Sequence, residues 1–174
     1  MAKDILVIGG GISGITTAVE AAETGYNVIL VEQNPYLGGR VVQMNRYFPK
    51  LCPPYCGMEI NLRRIKTNKR IKHLTLATVE KISGQEGNLE VSLRLNPRFI
   101  TEKCTACGEC AKICPAERLD PFNLDLCKTK AIYLPHQLAF PLRYVIDEKA
   151  CLKCGSCINA CKYGAINLEM QVET

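Results

Sequence analysis

Four cysteines spaced C-x2-C-x2-C-x3-C occur twice in this chain, as CTACGECAKICP at residues 104–115 and as CLKCGSCINAC at residues 151–161. No other feature restricts the fold as much. Three thiolates on one tight turn can hold three irons of a [4Fe–4S] cubane, and a fourth from a following helix closes the cage. Tetrahedral zinc held by paired C-x2-C units is the rival reading. Zinc does not need four cysteines crowded into one run, twice, each with a glycine after the second cysteine (Gly108, Gly155). A disulfide framework is a third reading, suited to a secreted chain.

In two-cluster ferredoxins the fourth cysteine of each run serves the other cluster. The predicted ligand sets are therefore crossed: Cys104, Cys107, Cys110 and Cys161 on one cubane, Cys151, Cys154, Cys157 and Cys114 on the other. The two runs start 47 residues apart, the mark of a duplicated half-ferredoxin. Between them lie the 36 residues 115–150, with candidate strands AIYLP and RYVID and a lone Cys127 read as structural.

At the other end, residues 3–8 read as a short buried strand that runs into GGGISG. Gly9, Gly11 and Gly14 form G-x-G-x-x-G, followed by a helical segment that stops at Gly25 and a second strand over 27–32. This is the βαβ context in which that fingerprint binds a dinucleotide. The glycines allow a tight turn and close approach of backbone to pyrophosphate, and the helix N-terminus favours the anion. Glu32, with 17 residues between it and Gly14, is placed to accept from ribose hydroxyls and to reject a 2′-phosphate. A purely structural glycine turn is the alternative.

The continuation PYLGGR resembles the E-x5-GGR segment of FAD-dependent oxidoreductases, which lies along the flavin phosphates. Here it comprises Glu32, Gly38, Gly39 and Arg40. That resemblance implies FAD rather than NAD. Cys52 and Cys56 follow, spaced C-x3-C before a predicted helix over 59–68. They form a candidate redox pair similar to that of flavin disulfide reductases, or two small buried hydrophobes, or ligands completed by a partner. Six basic residues, Arg63, Arg64, Lys66, Lys69, Arg70 and Lys72, read as a solvated face, with a docking surface for an acidic electron-transfer partner as the alternative. Residues 71–100 alternate as a hairpin-like pair around GQEG. His73 and His136 stand alone and are read as neither ligand nor base.

These readings assemble into an α/β Rossmann-type, incomplete FAD-binding domain over residues 1–100 and an α+β two-[4Fe–4S] ferredoxin-like domain over 101–174. The formal charge of +5 invites nucleic acid as a partner. Each thiolate-bound cubane brings about two negative charges, so the basicity reads as compensation for cofactors rather than a nucleic-acid footprint. Residues 1–8 carry no basic leader or twin arginine, and no apolar run approaches a membrane span. A reducing, anaerobic cytoplasm is the expected setting.

VIGGGISG, NPYLGGRV, NRYFPKLCPPYCG and the two cysteine runs together resemble the A subunit of heterodisulfide reductase, nearest to the A subunit of the quinone-interacting membrane-bound oxidoreductase. The resemblance covers nearly all 174 residues. It implies FAD and two [4Fe–4S] clusters passing electrons among the subunits of a complex, and to quinones through a membrane subunit. Family members continue past the clusters into a second half of the flavin domain, so the expectation is a fragment, a split gene, or a pocket completed by another polypeptide. This chain alone is then expected to hold clusters well and FAD poorly. Two alternatives stay open: a ferredoxin-like carrier with a vestigial nucleotide fold, and an NADH-dependent flavoenzyme resembling the small subunit of glutamate synthase. No general acid–base pair or Ser-His-Asp set is visible.

Overall fold

The computed structural model describes residues 4–46 and 48–174. The chain divides into two compact units, Met1–Asn96 with Val172–Thr174, and Pro97–Gln171. The division falls a few residues before the sequence-based boundary. The last residues return to the first unit because Leu95 and Glu173 exchange backbone hydrogen bonds of 2.8 and 3.1 Å.

In the first unit, β1 (Asp4–Ile8) leads through the glycine turn into α1 (Ile12–Glu23) and back through β2 (Asn27–Glu32). Ile15, Ala18, Val19 and Ala22 recur at helical spacing and bury one face of α1. Thr24 caps its end, Gly25 takes a φ of +103°, and the amides of Gly25 and Tyr26 reach the carbonyls of Ala22 and Ala21. That is a Schellman stop. The run Val28–Ile29–Leu30–Val31 lies mostly buried, as expected of a strand covered on both faces.

After a long connection, α2 (Tyr55–Thr67) leads into β3 (Ile71–Thr75). The sheet is parallel in the order β1-β2-β3, with Val28 opposite Ile71. Residues His73 and Leu74 therefore belong to the parallel sheet and not to the hairpin suggested by their alternation. The hairpin starts later, with β4 (Ala77–Gln85) antiparallel to β5 (Asn88–Leu95) and a bulge between Val79 and Lys81. Arg64, one of the six basic residues, fastens α2 to α1: its guanidinium meets Glu23 at 2.7 and 2.9 Å and Glu20 at 3.2 Å.

The second unit is built around two short helices, α3 (Glu109–Ile113) and α4 (Ser156–Ala160). Two small antiparallel pairs lie between them in sequence, β6 (Glu117–Leu119) with β7 (Lys128–Lys130) and β8 (Ile132–Tyr133) with β9 (Val145–Ile146). Its core is Phe99, Ile100, Ile132 and Ile146 together with the side chains of Cys110 and Cys157.

Candidate functional site

The two cysteine runs fold alike. Ala106 and Lys153, each two residues after its first cysteine, take left-handed φ values of +56° and +52°. Gly108 and Gly155 follow at +87° and +74° and precede α3 and α4. The amides of Ala106 and Lys153 donate to Cys104 Sγ and Cys151 Sγ, both at 3.4 Å. Left-handed backbone is unfavourable for alanine and lysine, by about 1 kcal/mol each, and it turns the loop so that amides face sulfur.

Each loop surrounds a hollow that takes its fourth cysteine from the other run. Cys104, Cys107, Cys110 and Cys161 line one. Cys151, Cys154, Cys157 and Cys114 line the second. All eleven cysteines are free thiols. Among the described residues no three Cys, His, Asp or Glu side chains converge on a point fit for a single metal ion. Each hollow is lined by four cysteines, the thiolate donor set that a [4Fe–4S] cluster takes, so the residues present fit that group.

Charge in the hollows is set by burial. Burial pushes the Cys110 thiol up to about 12, and the neighbouring Cys104 thiolate adds to the shift. Cys157 moves the same way for the same reason. Cys154 is exposed, and the Ser156 hydroxyl beside it lowers its pKa. A cluster ligand must be a thiolate, so loading the buried cysteines releases protons.

The glycine turn is the second site. Gly9 has a φ of +102°, its amide donates to the Val31 carbonyl at 2.7 Å, and a Cβ at Gly14 would collide with its carbonyl oxygen. Gly10 lies against Leu37 and Glu32, whereas a Cβ on Gly11 would meet open space. No side chain caps the N-terminus of α1 at Gly11. The first amides of a helix have no intrahelical acceptor, so a pyrophosphate could approach Gly11 and satisfy them. The Gly38–Gly39 turn docks on the same loop: Gly38 N donates to Gly10 O at 2.7 Å, and both glycines have positive φ. Arg40 follows on the surface, exposed. These residues fit the phosphate side of FAD.

Glu32 is brought to the turn but is already engaged. It is buried, Oε2 accepts from Gly10 N at 2.6 Å, and Oε1 accepts from Asn34 N and Nδ2 at 2.7 and 2.8 Å. A carboxylate has about four acceptor positions, so these three bonds leave about one, on Oε2, for a ribose hydroxyl. Its first task here is to brace the turn.

Cys52 is half-buried with Sγ 3.7 Å from Lys50 O, Cys56 is exposed in the first turn of α2, and neither lines a quartet. Cys127 is exposed, its Sγ held by Asn123 Nδ2 at 3.1 Å in the loop between β6 and β7. His136 is stacked on Phe122, and burial lowers its pKa to about 4. Sequence reading missed three residues of the second unit. Asp147 folds the entry to the second run by accepting from the amides of Lys149 and Ala150, and it pairs with Arg118 at 3.1 Å. Tyr144 lines the Cys104 hollow. Only an Asx-turn signal at Asp147 was available in the sequence.

Comparison with known proteins agrees with both halves. The family described as FAD dependent oxidoreductase matches residues 4–90, and the 4Fe-4S dicluster domain matches residues 103–165. The iron-sulfur A subunit of the CoB–CoM heterodisulfide reductase from Methanocaldococcus jannaschii is 39% identical over 98% of this chain and 26% of its own length. The A subunit of the ferredoxin:CoB-CoM heterodisulfide reductase from Methanosarcina acetivorans is 37% identical over 99% of this chain and 23% of its own. The chain thus spans about a quarter of the length of these relatives.

Proposed function

The chain belongs to the FAD-dependent oxidoreductase family and carries a 4Fe-4S dicluster domain, and on that premise we propose that it is an electron-transfer subunit working inside a larger flavin/iron-sulfur complex. The observation that carries this reading is the division of eight sulfurs into two quartets around two hollows, in a chain that also presents an open glycine turn. When bound, FAD exchanges electrons in pairs and the clusters pass them singly. Cys104, Cys107, Cys110 and Cys161 would hold one cluster, and Cys151, Cys154, Cys157 and Cys114 the other. The amides of Ala106, Ala165 and Lys153 donate to three of these sulfurs and fix their orientation. Gly9, Gly11, Gly14, Gly38 and Gly39 form the backbone surface for the pyrophosphate, with Arg40 at its rim.

The first unit offers this surface on an unfinished sheet. β1 leads directly into the fingerprint, and in doubly wound folds that strand is central, flanked on both sides. Here β1 pairs only with β2 among the described residues, and Ile8 at its end is 60% exposed. A bare apolar edge of this kind is a place where further protein adds. The partner is proposed to be another subunit, or another part of the same complex, that covers β1 and the flavin ring. No helix among the described residues is long and apolar enough to cross a membrane. A partner is proposed to provide any link to a membrane and its quinones, with this subunit on the cytoplasmic side.

Flavin content tests the reading. Prepared without oxygen, this chain alone is expected to carry iron and sulfide but release little flavin on acid treatment. Prepared with its partners, it should release about one flavin per complex. Tightly held, stoichiometric FAD in the chain alone would contradict the need for a partner. Flavin absent from both preparations would favour a ferredoxin-like carrier, a second reading to which the engaged carboxylate of Glu32 lends support.

A further inference from the structure

The two hollows share a backbone, but tyrosines, Tyr144 and Tyr163, line only the Cys104 hollow. A Cβ built on Gly108 would lie 3.2 Å from the Tyr144 hydroxyl oxygen, whereas one built on the equivalent Gly155 meets nothing within 4 Å. Tyr144 lines the Cys104 hollow and packs, partly buried, on the core that includes Cys110. The second hollow is lined by Pro115, Leu152 and Leu168 and by no tyrosine. A phenol is protonated at neutral pH and so remains a donor.

Other contacts point the same way. In the Cys104 hollow the fourth cysteine, Cys161, receives the amide of Ala165 at 3.3 Å. In the other hollow Cys114 Sγ faces the carbonyl of Ala116 at 3.6 Å, an acceptor that gives a thiolate nothing. The one side-chain donor there, Ser156, sits 3.4 Å from Cys154 Sγ, and that sulfur is exposed, where water competes.

We propose that Tyr144 donates a hydrogen bond into the Cys104 hollow and thereby gives the cluster held by Cys104, Cys107, Cys110 and Cys161 the higher reduction potential of the two. The inference rests on the two-cluster reading above. Reduction adds one negative charge to a cluster, and a donor aimed at its sulfurs stabilises the reduced form more than the oxidised one. An electron shared between the two runs therefore settles on the Cys104 side. Tyr144 orders the two carriers without being a ligand to either.

The test is a potentiometric titration of the anaerobic protein followed by electron paramagnetic resonance, for wild type, Tyr144→Phe and Ser156→Ala. Phenylalanine fills the same space without the hydroxyl. Tyr144→Phe is expected to lower the higher of the two midpoints, making that cluster about tenfold harder to reduce, or ~59 mV for one electron, with iron content unchanged. Ser156→Ala is expected to lower only the other midpoint, by less. Unchanged midpoints in a fully loaded Tyr144→Phe protein would overturn the proposal, as would a shift of the lower midpoint. Loss of iron in Tyr144→Phe would overturn it by making the residue structural. Wild type without iron would overturn the two-cluster reading itself, and iron analysis before the titration tells that failure from the others.

Discussion

The glycine turn and the cysteine hollows solve the same problem, holding an anionic cofactor, in opposite ways. The turn is made of backbone from neighbouring residues: Gly9 and Gly11 lie in the loop before α1, Gly14 in the first turn of that helix, and the Gly38 amide reaches in from a second loop. It presents a surface and leaves β1 bare on one side. The hollows are made of side chains distant in sequence, each closed by a cysteine from the other run. A site closed by long-range ligands is complete within its unit. A site that is a surface needs something to cover it. The contrast assigns self-sufficiency to the second unit and dependence to the first.

The sharpest way to break this comparison is to ask which cysteines act together. With crossed sets, Cys107→Ser combined with Cys161→Ser removes ligands from one cluster and should leave roughly half the iron. Cys154→Ser combined with Cys161→Ser touches both and should remove nearly all of it. Uncrossed sets give the reverse order, and iron per chain reads the result. In the first unit, Gly14→Val drives a side chain into the Gly9 carbonyl and should cost about 3 kcal/mol. Urea unfolding should show the loss in the first unit, while the visible absorbance of the clusters persists. If the absorbance collapsed together with the first unit, the independence of the second would be disproved.

The βαβ start was legible because its signals are local: an apolar run, three glycines at fixed offsets, a helical stripe and a glycine stop within 25 residues. The two cysteine runs were legible because their spacing repeats, and the hollows that they line gather the cysteines in the crossed sets proposed from it. What escaped were contacts between residues far apart. His73 and Leu74 alternate like a hairpin, yet Ile71–Thr75 pairs with β2, since its burial is decided by the parallel sheet. The last residues fall with the first unit because Glu173 pairs with Leu95, a contact between residues 78 apart. Tyr144 resembles an ordinary strand residue, since nothing near it in sequence reveals that it ends up over Gly108. Glu32, read from the motif as a ribose acceptor, also braces the turn through the amides of Gly10 and Asn34, contacts that the motif does not announce.

The claim beneath all of this is that the two sulfur quartets enclose iron–sulfur cores. Metal and acid-labile sulfide counted on protein made and kept without oxygen test it most directly. The account predicts roughly eight irons and eight sulfides per chain. Protein carrying zinc in place of iron, with no sulfide, would contradict it.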